Sequence, residues 1–365
     1  MSKAFFFLIV ICFVLFSCNS STKHYNPDIV KYKDLDKYED SVQLNDVLTL
    51  NADIRNLLCI DNYLIISQDN NDSLFVVMDT SNDSLISCFG RIGHARNEFY
   101  TTPGIIYCVR DKDDSPLLCV WEETCTKVID LRKSIESNTC ILSDVIKEKK
   151  NSFFSHTYHL TGNKSFVYKT VSYKDPRDDI YFPPVYCFID DDVKEWNIYP
   201  EIIQPQFKSS VFGDYSNTMS LSPDGMHLVS VSHYIDIITI FDFGKKQSVG
   251  FINPDSYTYD YLEDEITESN AEERIRLYNF SACATDQCFI VLEDGKTLKE
   301  RAECIGNGVD NIGLKLHGYN WEGKSQFVFN VDKNISYIAY NETNKKIYAT
   351  DLLNGKLYNC IVKLQ

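Results

Sequence analysis

The chain has 365 residues and a formal net charge of −16. Hydrophobic residues make up 44% of it and charged residues 24%, which is the composition of a folded globular protein and excludes disorder over most of the length. The acidic balance argues against nucleic acid as a partner, because phosphates are repelled at long range. Aromatic residues, at 13%, favour strands over helices.

The first residues predict export and lipid attachment. Lys3 precedes an apolar run over residues 4–16, which is too short to span a bilayer and fits the core of a signal peptide. Leu15-Phe16-Ser17-Cys18 then resembles a bacterial lipobox, with a polar stretch after the cysteine. This resemblance implies cleavage before Cys18 and lipidation of Cys18. An ordinary signal peptide with a chance cysteine is the alternative.

Three segments follow from this interpretation. We expect a lipoprotein signal peptide at 1–17, a lipidated tether and linker at 18–45, and one folded domain at 46–365. The membrane is then a partner through the lipid anchor. No acidic cluster follows Cys18 closely, which favours attachment to the outer membrane of the cell envelope with the protein facing the periplasm.

Beyond residue 50 one pattern recurs, in which a β-type run, a polar turn and a second β-type run follow one another. Its turns are centred near residues 61, 113, 162, 224, 286 and 343, at a mean spacing of about 56. Four antiparallel strands joined by tight turns need about 40 to 50 residues, as in propeller blades. The repeat predicts an all-β, six-bladed β-propeller with four-stranded antiparallel blades.

The last repeat is one strand short, because the chain ends soon after its third strand. Residues 47–50, at the start of the domain, are predicted to supply the missing strand and close the ring, which removes an exposed sheet edge.

Three stretches resemble propeller families. The sequence from Phe89-Gly90 to Glu98-Phe99, followed by Pro103, is similar to an NHL-type junction between blades, although Ala95-Arg96-Asn97 replaces its usual Gly-Pro-Gly part. Ser222-Pro223-Asp224-Gly225 is similar to a turn of TolB-like blades, and residues 338–342 resemble the inner strand of a final blade. Together with the lipobox, the chain resembles the six-bladed, TolB-like lipoproteins of Bacteroides-type bacteria. That resemblance implies a fold and an envelope location, but no catalytic residues.

The connections between predicted strands differ strongly in length. Turns between the first and second strands are short, whereas the connections on the opposite face include the long segments 91–104, 172–184, 200–217, 253–277 and 293–320. Long loops on a rigid scaffold are where binding usually resides. We therefore predict that the long-loop face is the working surface. The alternative is that these loops only cap the channel. One short helical insertion, acidic on its polar side, is predicted within 261–277.

The candidate ligand-binding residues lie in the first of these segments. Arg91, His94, Arg96 and Glu98 are predicted on a connector that leads into an inner strand and hence towards the channel. Arginine grips carboxylate or phosphate in a bidentate way, so the group would suit an anion. The alternative is that Arg96 and Glu98 pair with neighbouring blades.

The 13 cysteines match no zinc motif. Cys59, Cys88, Cys108 and Cys119 lie in apolar strand runs and are predicted to be buried thiols. Disulfides are the alternative at two pairs, namely Cys119 with Cys125 and Cys283 with Cys288. No metal site and no cofactor are predicted.

Three classes of function remain. No Gly-x-Ser-x-Gly elbow, His-Glu-x-x-His motif or glycine-rich phosphate loop is present, which favours a non-catalytic protein. The first class is an envelope lipoprotein that binds a protein or glycan on its long-loop face. The second is a propeller hydrolase or lyase with acid/base residues or Ca²⁺ at the central channel. The third is a structural subunit of an outer-membrane assembly.

Overall fold

A computed structural model describes most of the chain beyond residue 28. The described residues are 29–33, 39–103, 106–122, 125–147, 154–159, 166–170, 185–189, 192–196, 217–233, 236–253, 271–309, 311–351 and 355–362. Cys18, the signal peptide and the third predicted turn, near residue 162, lie outside these ranges.

Strands account for nearly all of the described residues. Three strands come first: β1 (Ile29–Tyr32), β2 (Glu39–Val42) and β3 (Asn45–Thr49). Sheet 1 contains β4 (Ile54–Ile60), β5 (Tyr63–Gln68), β6 (Phe75–Asp79) and β7 (Ser84–Phe89). Sheet 2 contains β8 (Ile106–Arg110), β9 (Pro116–Glu122), β10 (Cys125–Asp130) and β11 (Leu142–Lys147).

The remaining sheets repeat this arrangement. Sheet 3 contains β12 (Phe154–His159), β13 (Phe166–Thr170), β14 (Val185–Ile189) and β15 (Asp192–Trp196). Sheet 4 contains β16 (Asn217–Leu221), β17 (His227–Ser232), β18 (Ile237–Asp242) and β19 (Gln247–Ile252). Sheet 5 contains β20 (Arg276–Ala284), β21 (Cys288–Thr297), β22 (Lys315–Asn320) and β23 (Ser325–Val331). Sheet 6 contains β24 (Ile335–Asn341), β25 (Lys346–Asp351) and β26 (Lys356–Ile361).

Within every sheet, strands that follow one another in the chain pair antiparallel. Neighbouring sheets pack face to face through aliphatic and aromatic side chains, and separate buried clusters join sheet 1 to 2, 4 to 5, 5 to 6 and 6 to 1. A strand buried on both faces reads as a continuous apolar run, and β5, with Leu64, Ile65 and Ile66 all fully buried, shows this pattern. The prediction of an all-β propeller with four-stranded antiparallel blades is confirmed.

The N-terminal strand β3 completes sheet 6. It pairs antiparallel with β26, and Leu48 lies opposite Leu357. The chain therefore closes its ring by pairing an early strand with a late sheet, as predicted, and this covers an edge that would otherwise expose unpaired backbone groups.

The strands β1 and β2 extend two other sheets. β1 pairs parallel with β19 and β2 pairs parallel with β23, so sheets 4 and 5 each gain a fifth, outermost strand. Both strands lie within the segment 18–45, for which the sequence predicts a tether and linker. Ile29-Val30-Lys31-Tyr32 is itself a β-type run, and its partner strand lies more than 200 positions away, beyond the reach of local pattern.

The short-turn face carries the turns between first and second strands and shows how the blades close. Contacts link the turns of sheets 1, 2, 4, 5 and 6 in order: Arg110 with Asp61 (2.7 Å), Arg110 N–H to Pro223 O (3.1 Å), Asp224 N–H to Asp286 (2.9 Å), Gln287 N–H to Glu342 (3.1 Å) and Asn341 to Asp61 O (2.7 Å). Sheet 2 thus meets sheet 4 directly. The described contacts close a five-membered ring of blades in place of the six-membered ring that the repeat predicts.

The difference has a physical origin. The sequence repeat reflects the order of strands along the chain, and six sheets do form. Which of these sheets are neighbours in the ring depends on how they pack against each other. Sheet 3 reaches the axis through Tyr158 of β12, whose ring centroid lies 5.0 Å from that of Tyr107 and whose hydroxyl donates to Met219 O (3.3 Å). Those contacts join the end of β12 to sheet 2 and to sheet 4, while sheets 2 and 4 contact each other directly on the short-turn face.

The described helices differ from the single predicted insertion. They are α1 (Leu131–Ser137), α2 (Ala271–Arg274) and α3 (Leu298–Gly306). α2 falls within 261–277, of which residues 261–270 lie outside the described ranges. Because α1 and α3 lie elsewhere in the chain, the prediction of a single helical insertion is wrong. Thr297 and Glu300 form a capping box at the start of α3, a Thr-x-x-Glu signal that is readable in the sequence.

Candidate functional site

A cavity of about 180 Å³ lies on the axis of the propeller. Its walls come from the first strands of the sheets, namely β4, β8, β16, β20 and β24, together with Tyr158 of β12. Arg55, Ile106, Asn217 and Tyr337 lie at the ends of their strands that face the long-loop side. The lining also follows the whole of β16, from Asn217 to Leu221, so the cavity runs along the channel from its long-loop end inward.

Most polar groups in this lining are hydroxyls, either aliphatic or phenolic. Thr218, Ser220 and Ser281 contribute aliphatic hydroxyls, while Tyr107 and Tyr337 contribute phenols. The middle of β16 is half-exposed to the cavity, whereas β17, the next strand outward, is almost wholly buried. The polar side chains of β16 are hydrogen-bonded within this wall. Asn217 donates to Ser230 (2.6 Å), Thr218 pairs with His233 (2.9 Å), and Ser220 accepts the backbone N–H of Ala284 (2.9 Å).

Two tyrosines hold the wall where sheets 2, 3 and 4 meet. The backbone N–H of His159 donates to the hydroxyl of Tyr107 over 2.6 Å, and Tyr158 donates to sheet 4 as described above. Burial raises the pKa of Tyr107 and of Tyr158 well above the ordinary value for a phenol. Both side chains are therefore neutral hydrogen-bonding groups at physiological pH.

An ion pair stands at the long-loop end of the cavity. Arg55, at the start of β4, lies 2.6 Å from Asp69, and Thr102 donates to the same carboxylate over 2.8 Å. The hydrogen bonds from Arg55 and Thr102 lower the pKa of Asp69, and the bond to Asp69 raises the pKa of Arg55. The mouth thus presents a charged pair of zero net charge, next to Tyr337, whose pKa is raised by burial.

The connector residues predicted as a ligand site make their contacts elsewhere. Glu98 accepts the backbone N–H of Ala95 (2.8 Å) and the Nε–H of Arg91 (2.7 Å), and both bonds lower its pKa. His94 and Arg96 are exposed, and the ring of His94 lies 5.9 Å from that of Tyr100. The described lining of the axial cavity contains none of the four residues Arg91, His94, Arg96 and Glu98. Arg91 and Glu98 close the connector on itself, so Glu98 does not pair with a neighbouring blade.

This connector is fixed to the blades by an aromatic and a cationic side chain. Phe99 is fully buried in the cluster between sheets 1 and 2, with its ring edge-on to that of Phe75 at 5.5 Å. Lys127 of β10 bonds the carbonyl oxygen of Glu98, pairs with Glu122 at 2.7 Å and lies 4.7 Å from the Phe99 ring centroid. The junction that resembles an NHL-type motif is therefore held against both sheet 1 and sheet 2.

Ten cysteines of the described chain are free thiols. Cys108 and Cys119 are buried and Cys59 and Cys88 half-buried, close to what the sequence predicts, and burial raises the pKa of Cys119 to about 12. The alternative disulfides Cys119–Cys125 and Cys283–Cys288 do not form.

The described residues hold no group of three or more histidine, cysteine, aspartate or glutamate side chains placed to bind a metal ion. Within the same ranges, no helix is long and apolar enough to cross a membrane.

Comparison with known proteins assigns no function to this chain. No protein-family model matches the chain, and no curated protein matches it. A DUF4221 family member from Bacteroides vulgatus is similar in structure, with a TM-score of 0.49 and 10% identity over 88% of this chain and 95% of that one. The WD40 repeats of RRP9 give a TM-score of 0.49 and 7% identity over 91% and 99%. A luciferin-regenerating enzyme gives 0.45 and 9% over 87% and 95%. Likeness at this level carries no argument about what the chain binds.

Proposed function

We propose that this chain is a non-catalytic lipoprotein of the cell envelope that binds a glycan partner through the long-loop end of its propeller channel. The observation that carries this proposal is the axial cavity, with its wall of hydroxyls and phenols and the Arg55–Asp69 pair at its mouth. The sequence leaves a protein and a glycan equally open as partners, and the chemistry of the cavity favours the glycan.

The size and chemistry of the cavity suit the end of a sugar chain. A water molecule occupies about 30 Å³ in the liquid, so 180 Å³ matches roughly six waters or one hydroxyl-rich ring. Neutral hydroxyls both donate and accept, as sugar hydroxyls require. The ring of half-buried Tyr337 can pack against the apolar face of a sugar, and the Arg55–Asp69 pair offers a donor and an acceptor without favouring a charged ligand.

The carboxylate at the mouth fits binding better than acid/base chemistry. The pKa of Asp69 is lowered by Arg55 and Thr102, so it stays ionised at neutral pH and is a poor proton donor. A general acid needs a pKa nearer the working pH. The hydrolase or lyase alternative therefore gains no support from this carboxylate.

A glycan array tests the binding proposal. The purified protein would be compared with the triple variant Thr218→Val, Ser281→Ala, Tyr337→Phe, which removes three hydroxyls from the cavity with little change in volume. Retention of defined glycans by the parent and at least tenfold weaker retention by the variant is the expected result. The matched control is Arg91→Ala, His94→Ala, Arg96→Ala, which leaves the cavity intact.

Each contrary outcome has a clear meaning. If the parent retains no glycan, or if the cavity variant retains glycans as well as the parent, the cavity is not the site. If the connector variant alone loses retention, the working surface is the connector that the sequence predicts.

The lipid anchor is the other half of the proposal and rests on the lipobox-like residues that end at Cys18. Several acyl chains anchor a protein stably where a single chain does not. The Cys18→Ala variant is expected to leave the membrane fraction and to take up no labelled fatty acid. A variant that stays membrane-bound and labelled overturns lipidation at this residue.

A further inference from the structure

We infer that the short-turn face of the propeller lies against the membrane and that the long-loop face with its cavity points away from it. This inference rests on the lipid anchor at Cys18 proposed above. It concerns a surface, namely the short-turn end of sheet 4, and a partner, namely a bilayer with anionic headgroups.

The first step is the direction of β1. This strand runs parallel to β19, with Ile29 opposite Val249 and Tyr32 opposite Ile252. β19 starts directly after the turn that joins it to β18, and His227 opposite Asp242 places that turn beside the Ser222–Met226 turn of the short-turn face. β1 therefore runs from the short-turn face towards the long-loop face, and the residues before Ile29 leave it in the direction of the short-turn face.

The second step is that β1 cannot pivot freely. Directly after it, Lys33 donates its backbone N–H to Ile252 O (2.9 Å) and inserts its side chain between sheets 4 and 5. There Lys33 bonds Asp236 and lies 3.6 Å from Glu293, with only 2% of its side chain exposed. A buried ion pair of this kind fixes the end of β1, and hence its direction, relative to the whole propeller.

The third step is the length of chain between the anchor and β1. Eleven peptide steps separate Cys18 from Ile29, and each spans at most about 3.5 Å, so the connection reaches no further than about 38 Å. If the long-loop face lay against the bilayer, the connection from Cys18 to Ile29 would have to turn back at Ile29. It would then have to extend along the full height of the blade and past α3, which lies on that face. Much less of its reach is needed when the short-turn face lies against the bilayer.

The fourth step is the chemistry at the short-turn end of sheet 4. The tips of its two turns carry Met226, which is 43% exposed, the exposed carboxylate of Asp224, and the exposed lysines Lys245 and Lys246. Lys245 pairs with Asp242 at 2.8 Å. Basic side chains near an anionic bilayer contribute about 1 kcal/mol each. This corner lies beside the point where β1 enters, so Met226 and the two lysines lie close to the lipid surface that the anchor reaches, where anionic headgroups compete with Asp242 for Lys245.

Energy transfer to a labelled lipid headgroup measures the orientation. The lipidated protein, isolated from membranes and bound to phosphatidylglycerol vesicles, would carry a fluorophore at Ser81→Cys or at Ala302→Cys in a Cys304→Ala background. Ser81 is exposed on the β6–β7 turn of the short-turn face, and Ala302 is exposed on α3. The expected result is at least twofold higher transfer from position 81. Equal transfer, or higher transfer from position 302, overturns the orientation.

Two further arms keep the outcomes distinguishable. In the first arm, a hexahistidine segment replaces residues 1–18 and holds the protein on nickel-chelating vesicles. Energy transfer from positions 81 and 302 is then measured on a protein that has no acyl chains. The same order of transfer supports the orientation even where Cys18→Ala shows that lipidation is wrong, and the reverse order overturns it. Lys245→Glu with Lys246→Glu is expected to lower transfer from position 81 on phosphatidylglycerol and not on phosphatidylcholine. No change on either lipid overturns the role of these lysines.

Discussion

Two buried lysines hold two very different parts of this chain in place. Lys33 lies between sheets 4 and 5 and pairs with Asp236 and Glu293, one carboxylate from each sheet. Lys127 pairs with Glu122, which lies on the neighbouring strand of its own sheet, and bonds the carbonyl oxygen of Glu98 in the connector.

The two lysines differ in how far along the sequence their partners lie. Lys33 lies 203 positions from Asp236, so its contacts exist only once the propeller has formed. The partners of Lys127 lie within 29 positions, and its cation also rests on the faces of Phe99 and Tyr100. Loss of Lys33 would remove the side chain that joins the end of β1 to sheet 5, whereas loss of Lys127 would weaken the attachment of one connector.

The largest expected effect is that of Lys33→Met. Buried Asp236 and half-buried Glu293 would lose their shared cation, and breaking a buried ion pair costs about 3–5 kcal/mol of unfolding free energy. Urea unfolding measures this loss. Lys31→Met, on the exposed side of the same strand, is the control and is expected to cost less than about 1 kcal/mol. A Lys33→Met protein as stable as the control would show that the network does not hold the strand.

Lys127→Met is expected to cost less, about 2 kcal/mol. Its partner Glu122 keeps the backbone N–H of Tyr100 at 2.9 Å, so the carboxylate left behind is still hydrogen-bonded. The same unfolding experiment gives the value. A loss equal to or above that of Lys33→Met would remove the distinction between the two lysines.

The third expected effect is on the pH dependence of stability. Burial acts to raise the pKa of Glu293, but the charge of Lys33 and the contacts with His317 outweigh it and lower that pKa to about 2. Tyr319 also faces this carboxylate, at 3.4 Å. Because the unfolded state binds the proton more tightly, the stabilisation is fully present above about pH 4.5 and is lost as pH falls towards 2.

Comparing the parent with Glu293→Gln between pH 7 and pH 2 isolates this contribution. The variant is expected to be less stable at neutral pH by about 2 kcal/mol, with the gap closing below pH 4.5. Parallel stability curves for the two proteins would mean that Glu293 titrates in the folded state as it does in the unfolded state.

The smallest expected effect is that of Arg91→Ala. The side chain of Arg91 is 67% exposed, and exposed ion pairs add little to stability. The urea midpoint is therefore expected to match that of the parent, because Phe99 and Lys127 still hold the connector. A clear fall in the midpoint would place the Arg91–Glu98 pair among the contacts that fix the blade junction.

Much of the fold is readable because propeller blades are local. The turns at Asp61-Asn62 and at Ser222-Pro223-Asp224-Gly225 join strands that pair with their chain neighbours, so alternation and turn chemistry suffice to find them. Phe89-Gly90 marks the end of sheet 1 for a similar reason: Gly90 has φ +79°, and an added Cβ would meet the ring of Phe75.

The candidate site is a harder problem. Arg91, His94, Arg96 and Glu98 stand out in the sequence as a charged group, but charge alone does not say which way a connector folds back. Thr218 and Ser281 carry no such signal beyond being polar residues in strands. They form one cavity only because the first strands of different blades converge on the axis.

The sequence by itself determined the repeat, the antiparallel blades, the short turns and the early strand that completes sheet 6, since each depends on pattern or pairing at the ends of recognisable runs. Only the tertiary structure decided that sheet 2 meets sheet 4 on the short-turn face, that Ile29–Tyr32 joins sheet 4 as a parallel strand, and that Lys33 lies between two carboxylates. The physical reason is distance along the chain. Hydrogen bonding between neighbouring strands is encoded locally, whereas packing between blades and the burial of a charge depend on surfaces that exist only after the ring has closed.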